Sequence, residues 1–259
     1  MVKKLVCTTT LLAALAFLFT GLAVAQNPAP TATIHQQGLT GQGSSHGASK
    51  TPPGTLFYGG DGDPTNAEAD GLWTNNSSFF GIFGEVFSPF IIPKTTKWNL
   101  SGLFTNVEYY PHPPTIDGAA WSVITITKNT NTVPPTIIGT IVCSGTDSSP
   151  VLTDTGRLYF GLYEEFTTAV AVAGCDLKGG PKGTEYWESV TPQTGANGVF
   201  QLAYESNVPD VPPPNAIGTT VTDDAYFYAP AFGDSSLTNT STLGPFHIFS
   251  AGVVASSSK

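Results

Sequence analysis

From Thr55 to Val254 the chain is a succession of short apolar and β-branched runs cut by Gly, Pro, Asn and Asp, and no run carries a helical period. This punctuation constrains the fold more than any other feature. The runs TLFYGG, GIFGEVFSPFIIP, KWNLSGLFTNVEYY, AWSVITITKNT, TIIGTIVCSG, GRLYFGLYEEF, TTAVAVAGCDL, TEYWESVTP, GVFQLAYES, DDAYFYA and PFHIFSAGVV follow one another. The 28 glycines and 21 prolines punctuate them, as strand edges and turns require. About ten or eleven strands in about 200 residues predict one all-β domain over residues 54–255, a single antiparallel β-sandwich of jelly-roll type. AWSVITITKNT is apolar on both faces, with Trp121 and Val123 on one and Ile124 and Ile126 on the other, which predicts an interior strand. No repeat of fixed period argues for a propeller or β-helix.

The first residues read differently. Lys3 and Lys4 precede an apolar run from Leu11 to Val24, and Ala23-Val24-Ala25 stands before Gln26. That layout predicts a secretory signal peptide over residues 1–25. The run is shorter than the roughly 20 residues that span a bilayer, so no membrane span is expected after cleavage. Residues 26–53 are rich in Gln, Gly, Ser, Thr, Pro and Ala and offer almost nothing large to bury. They predict a disordered, low-complexity leader, with His35 and His46 as solvated bystanders.

Charge excludes several partners. The formal net charge is −9, and losing Lys3 and Lys4 with the signal takes it to −11. Arg157 is the only arginine, and no basic stripe exists to meet a phosphate backbone or an anionic membrane. Cys143 and Cys175 are the two cysteines beyond the signal. In an oxidising compartment they predict a disulfide, with two buried thiols as the rival.

TLFYGGDG, then VFSPFIIPKTTKWNLSGL, then TEYWESVTP, in that order, resemble secreted bacterial β-sandwich proteins of unassigned activity, many of which carry a PEP-CTERM sorting tail. The resemblance spans most of residues 55 to 205. It implies an exported sandwich and brings no catalytic residue. The chain ends HIFSAGVVASSSK, without Pro-Glu-Pro, so sorting by such a tail is not implied.

Three kinds of chemistry remain to be weighed. The stretch GGDGDPTNAEADG offers Asp61, Asp63, Asn66, Glu68 and Asp70 among glycines. Calcium takes six to eight oxygens from such side chains in a turning loop, so Asp61, Asp63, Asn66 and Asp70 are the candidate metal ligands, with calcium the one candidate cofactor. The spacing does not match an EF-hand, and a polar turn explains the same residues. Glycoside hydrolysis needs two acids facing one bond. Glu164 and Glu165 diverge on a strand, and Glu185 and Glu188 fall on opposite faces. No Gly-x-Ser-x-Gly occurs, and His112 and His247 have no recognisable partner, so no catalytic residue is assigned. Aromatic rings can stack on sugars, which makes Trp73, Tyr109 and Tyr110 candidate ligand-binding residues, with Tyr226 and Tyr228 beside them. Packing in a strand draws on the same residues.

The expectation is a secreted, non-catalytic β-sandwich, a structural or binding module of the envelope or extracellular space. Its partner would be a carbohydrate or an envelope or extracellular protein. A calcium-dependent carbohydrate-binding module is the alternative, and a polysaccharide hydrolase the second alternative.

Overall fold

The computed structural model describes residues 51–61, 72–74, 76–79, 82–110, 116–131, 136–159, 163–193, 200–206, 215–219, 225–228, 238–239 and 248–259. The expected signal and nearly all of the leader lie outside them. The described residues form strands and no helix.

Two antiparallel sheets make the body. In the first, β5 (Lys97–Tyr110) is central. On one side it pairs with β9 (Tyr163–Lys178), which in turn pairs with β8 (Val151–Tyr159). On the other side it pairs with β15 (Ala251–Ser258) and β11 (Phe200–Ser206). The short strands β1 (Thr55–Tyr58), β2 (Leu72–Thr74) and β14 (Ile248–Phe249) complete this sheet. The second sheet runs β13 (Thr238–Asn239), β12 (Tyr226–Tyr228), β4 (Ile82–Ile92), β10 (Thr184–Gln193), β6 (Gly118–Asn129) and β7 (Thr136–Asp147), with β3 (Asn76–Phe79) added on β4. The expected all-β sandwich is therefore the observed fold.

Alternation explains which side chains meet. Successive residues of a strand point to opposite faces, so one parity of each strand enters the core. Phe57 of β1, Leu103 of β5 and Val253 of β15 come from the first sheet; Phe90 of β4, Trp121 of β6 and Val190 of β10 come from the second. These share one core. Phe90 is its hub, with ring centroids 6.0 Å from Phe57, 6.2 Å from Trp98 and 5.9 Å from Tyr186. Gly145 on β7 pairs with Trp121, and a Cβ there would stand 2.7 Å from the indole, so only glycine fits under the ring.

Strand β6 is interior, between β10 and β7, as its two apolar faces predict. Trp121 and Val123 enter the core between the sheets, whereas Ile124 and Ile126 join Phe87, Trp187 and Tyr226 in a second cluster on the outer face. The expected runs GRLYFGLYEEF and TTAVAVAGCDL divide elsewhere: β8 ends at Tyr159 and β9 runs unbroken from Tyr163 through Cys175. At one side of the sandwich, Cys143 on β7 and Cys175 on β9 stand at disulfide distance across the two sheets, with Cα atoms 5.8 Å apart.

Candidate functional site

Asp61 is the one expected calcium ligand among the described residues; Asp63, Asn66 and Asp70 lie outside them. Its carboxylate is buried and already engaged. Oδ1 accepts the Tyr58 hydroxyl proton at 2.5 Å and sits 3.2 Å from Arg157 Nη1, while Oδ2 accepts from Asn215 Nδ2 at 2.5 Å. Arg157 also bonds Glu165 through Nη2. Because Tyr58 gives its only proton to Asp61, its oxygen accepts, from Asn106 Nδ2 at 2.8 Å and from Ser250 Oγ at 2.8 Å. Asn106 spends its second amide proton on Ser250 at 2.7 Å and accepts from Thr167 at 2.7 Å. Burial is the main cause that raises the Tyr58 pKa far above the ordinary phenol value, with the Asp61 and Glu165 charges adding to it. Among the described residues Asp61 is thus the acceptor of a buried hydrogen-bond network.

A bulge aims Arg157 into this network. The register between β8 and β9 shifts between Asp154 and Leu158, and Gly156 there has φ +73°. Asp154 Oδ1 accepts from the Gly156 N–H at 2.7 Å and closes the turn.

The aromatic candidates separate. Tyr109 is fully buried: its hydroxyl pairs with Thr168 at 2.8 Å and its ring stands edge-on to Phe166 at 5.8 Å. It packs the first sheet and offers no face to a sugar, which corrects the expectation of a stacking role. Trp73 pairs with Ala203, and Tyr110 with Phe200, through the backbone.

The structure assembles a different concavity. On β4, β10 and β6 the residues of opposite parity to the core, Glu85 and Phe87, Ser189 and Thr191, Ser122 and Ile124, face away from the first sheet. Over them lies a groove of about 600 Å³. Phe87, Ile124, Ile137, Ile141 and Tyr228 give it apolar walls. Glu85, Ser122 and Thr191 give it polar groups. Tyr228 pairs with Glu85 across β12 and β4, which sets the ring beside the carboxyl. Ser122 Oγ donates to Glu85 Oε1 at 3.2 Å. Burial holds the Glu85 pKa above the ordinary carboxylate value, and the hydrogen bonds from Ser189 and Ser122 pull it partly back. Apolar walls with a few convergent polar groups and a perturbed carboxyl suit a small-ligand site, and the volume falls within the usual roughly 300–1,000 Å³.

Glu85 stands out little in GEVFSPF, because what matters is its company from β6, β10 and β12, set by non-local pairing. The single arginine of a chain with 19 acids was the one available sign of the buried network. No protein-family model, curated protein or solved structure matches the chain.

Proposed function

We propose that the protein is an exported, non-catalytic binding module, and that its ligand sits in the groove on the outer face of the second sheet. The observation that carries this reading is the pairing of apolar walls, Phe87, Ile124, Ile137 and Tyr228, with the Glu85–Ser122 hydrogen bond in one groove. Such a lining suits a ligand with an apolar body and one end that donates hydrogen bonds or carries positive charge. Cys143 and Cys175 at disulfide distance support export to an oxidising compartment. Among the described lining residues Glu85 is the one acid, whereas glycoside hydrolysis works with two.

A carbohydrate is the second reading. Tyr228 and Phe87 would meet the CH face of a sugar ring, and Glu85, Ser122 and Thr191 its hydroxyls.

Titration with Nile red, a neutral apolar dye, tests the site. Saturable one-to-one binding is expected, lost in Ala120→Phe, which grows a ring into the groove from β6. Ala120→Phe must keep the wild-type melting profile. Dye that binds both proteins alike, or neither, overturns the reading. A glycan array read with the same pair of proteins decides between the two ligand classes.

A further inference from the structure

We infer that the groove takes a primary amine with an apolar body, its ammonium group paired with Glu85 and its body laid across the sheet toward β7; this rests on the reading of the groove as a ligand site. The polar end of the groove is built around one carboxyl. Ser122 Oγ donates to Glu85 Oε1 at 3.2 Å, and Ser189 also hydrogen-bonds the carboxyl. The hydroxyls of Ser189 and Thr191 stand 3.2 Å apart. Because Ser189 spends its proton on Glu85, Thr191 is the donor of that pair. The hydroxyl protons are thus ordered toward a single acceptor, an arrangement that favours a negative carboxylate over a neutral acid. An ionised carboxylate has about four lone-pair sites, so the serines leave some of them to a ligand. Burial works against that charge, and a cation in the groove offsets the cost.

Charge selects among ligands. Among the described lining residues Glu85 is the one charged side chain, and none is Lys, Arg or His, so an anion finds no counter-charge there. The chain as a whole carries a net −9, which draws cations and repels anions. Tyr228 pairs with Glu85 from β12, and Phe87 follows two residues along β4, so an ammonium at the carboxyl has aromatic rings beside it. The same sheet face already seats a cation on a ring. Lys128 of β6 holds Nζ 5.7 Å from the centre of the Tyr226 ring, and Tyr226 is next but one to Tyr228 on β12. Lys128 itself is not among the described lining residues.

Strand order sets the length and the direction of the ligand. β12, β4, β10, β6 and β7 lie side by side in that order. Glu85 stands on β4, and Ile137 and Ile141 on β7 are three strand spacings away, about 14 Å. The carboxyl therefore marks one end of the groove, and an octyl chain covers most of the distance to the other. Ile141 pairs with Ile124 and is 65% exposed, and an alkyl chain laid there takes its apolar surface out of water. A primary ammonium brings three N–H donors on a narrow head, which meets the lone pairs that the serines leave; a quaternary head brings none.

Calorimetric titration with octylammonium, octanol and octanoate, which share one tail and differ in the head, tests the inference at neutral pH and fixed low salt. Wild type should bind octylammonium one to one and at least about tenfold tighter than octanol, because a hydrogen bond between charged groups outweighs a neutral one, with octanoate the weakest. Glu85→Gln keeps the shape and an acceptor for Ser122. It should bring octylammonium down to the affinity of octanol and leave octanol unchanged. In wild type the side-chain carboxyl carbon signal of Glu85 should move with octylammonium, a readout that depends on no variant. Ammonium and alcohol bound alike, an octylammonium affinity indifferent to Glu85→Gln, or an unmoved Glu85 signal overturns the inference. Octanol binding that Ala120→Phe abolishes would in each of those cases still leave the groove as a ligand site. A groove that takes none of the three overturns the site and the inference together.

Discussion

Asp61 Oδ1 lies 3.2 Å from Nη1 of Arg157, the only arginine of the chain, and the two side chains are 5% and 7% exposed. Arg157 keeps Glu165 when Asp61 is removed, but the buried Tyr58 hydroxyl loses the acceptor of its proton, and a buried donor left unmet costs about 1–3 kcal/mol. Asp61→Ala is expected to lose stability in that range. Because the carboxylate serves Tyr58, Asn215 and Arg157, the loss should be the same in calcium and in EDTA. Urea unfolding of both proteins in each buffer, at fixed low salt, measures it. A loss confined to the calcium buffer would restore Asp61 as a metal ligand.

Gly156 isolates the backbone contribution to the same network. Its φ is +73°, and a Cβ there would meet nothing within 4 Å. Gly156→Ala therefore adds no clash with neighbours, only the cost of an L-residue in the left-handed region, about 1–2 kcal/mol. Denaturant unfolding should show that loss with an unchanged m-value. A neutral substitution would mean that the bulge relaxes freely and does not hold Arg157 in place.

Glu188 gives the sandwich a pH dependence. It is 1% exposed, on the core side of β10 opposite Ser88 of β4, and neither its carboxyl oxygens nor Ser88 Oγ finds a hydrogen-bond partner among the described residues. Burial raises its pKa well above the ordinary carboxylate value. The folded state thus keeps a proton that the unfolded chain releases near pH 4.3, a typical value for glutamate. Stability falls as pH rises from there toward the folded pKa. Glu188→Gln removes that dependence. The variant should be more stable than wild type at pH 7 by roughly 1–3 kcal/mol, with the advantage gone below about pH 4. Melting curves from pH 4 to 8 decide it; parallel curves for the two proteins would contradict the assignment.

Strand parity is legible in AWSVITITKNT because the side-chain period is two, so Trp121 and Val123 against Ile124 and Ile126 can be sorted without coordinates. The divergence of Glu164, half-exposed, and Glu165, buried, follows from the same rule. Register is not legible. Nothing local in the sequence says that Asn106 will face Thr167, or that Tyr228 will pair with Glu85, since those pairings join residues far apart in the chain. Both the buried network and the groove are built from such pairs. Tyr109 shows the same limit from the other side. In VEYY its ring reads equally well as a binding surface or as packing, and only the Phe166 contact decides.

Cys143 and Cys175 are separated by 32 residues and tie β7 to β9. In the chain-entropy account a bond closing such a loop stabilises by roughly 3–4 kcal/mol. The double variant Cys143→Ala with Cys175→Ala should lose about that much, and dithiothreitol should lower the wild-type melting temperature while leaving the variant unchanged. Equal melting with and without reductant would show two thiols instead.

The groove is the central claim, and backbone amide NMR with a groove-filling probe tests it most directly. Nile red added to the ¹⁵N-labelled protein should shift amides of Glu85, Phe87, Ser122, Ile124, Ser189 and Thr191 on β4, β6 and β10, together with Ile137 and Ile141 of β7. Leu103, Val170 and Val253, across the core in the first sheet, should stay still. Shifts gathered on β5, β9 and β15 of that sheet, with the outer face of the second unmoved, would contradict the account.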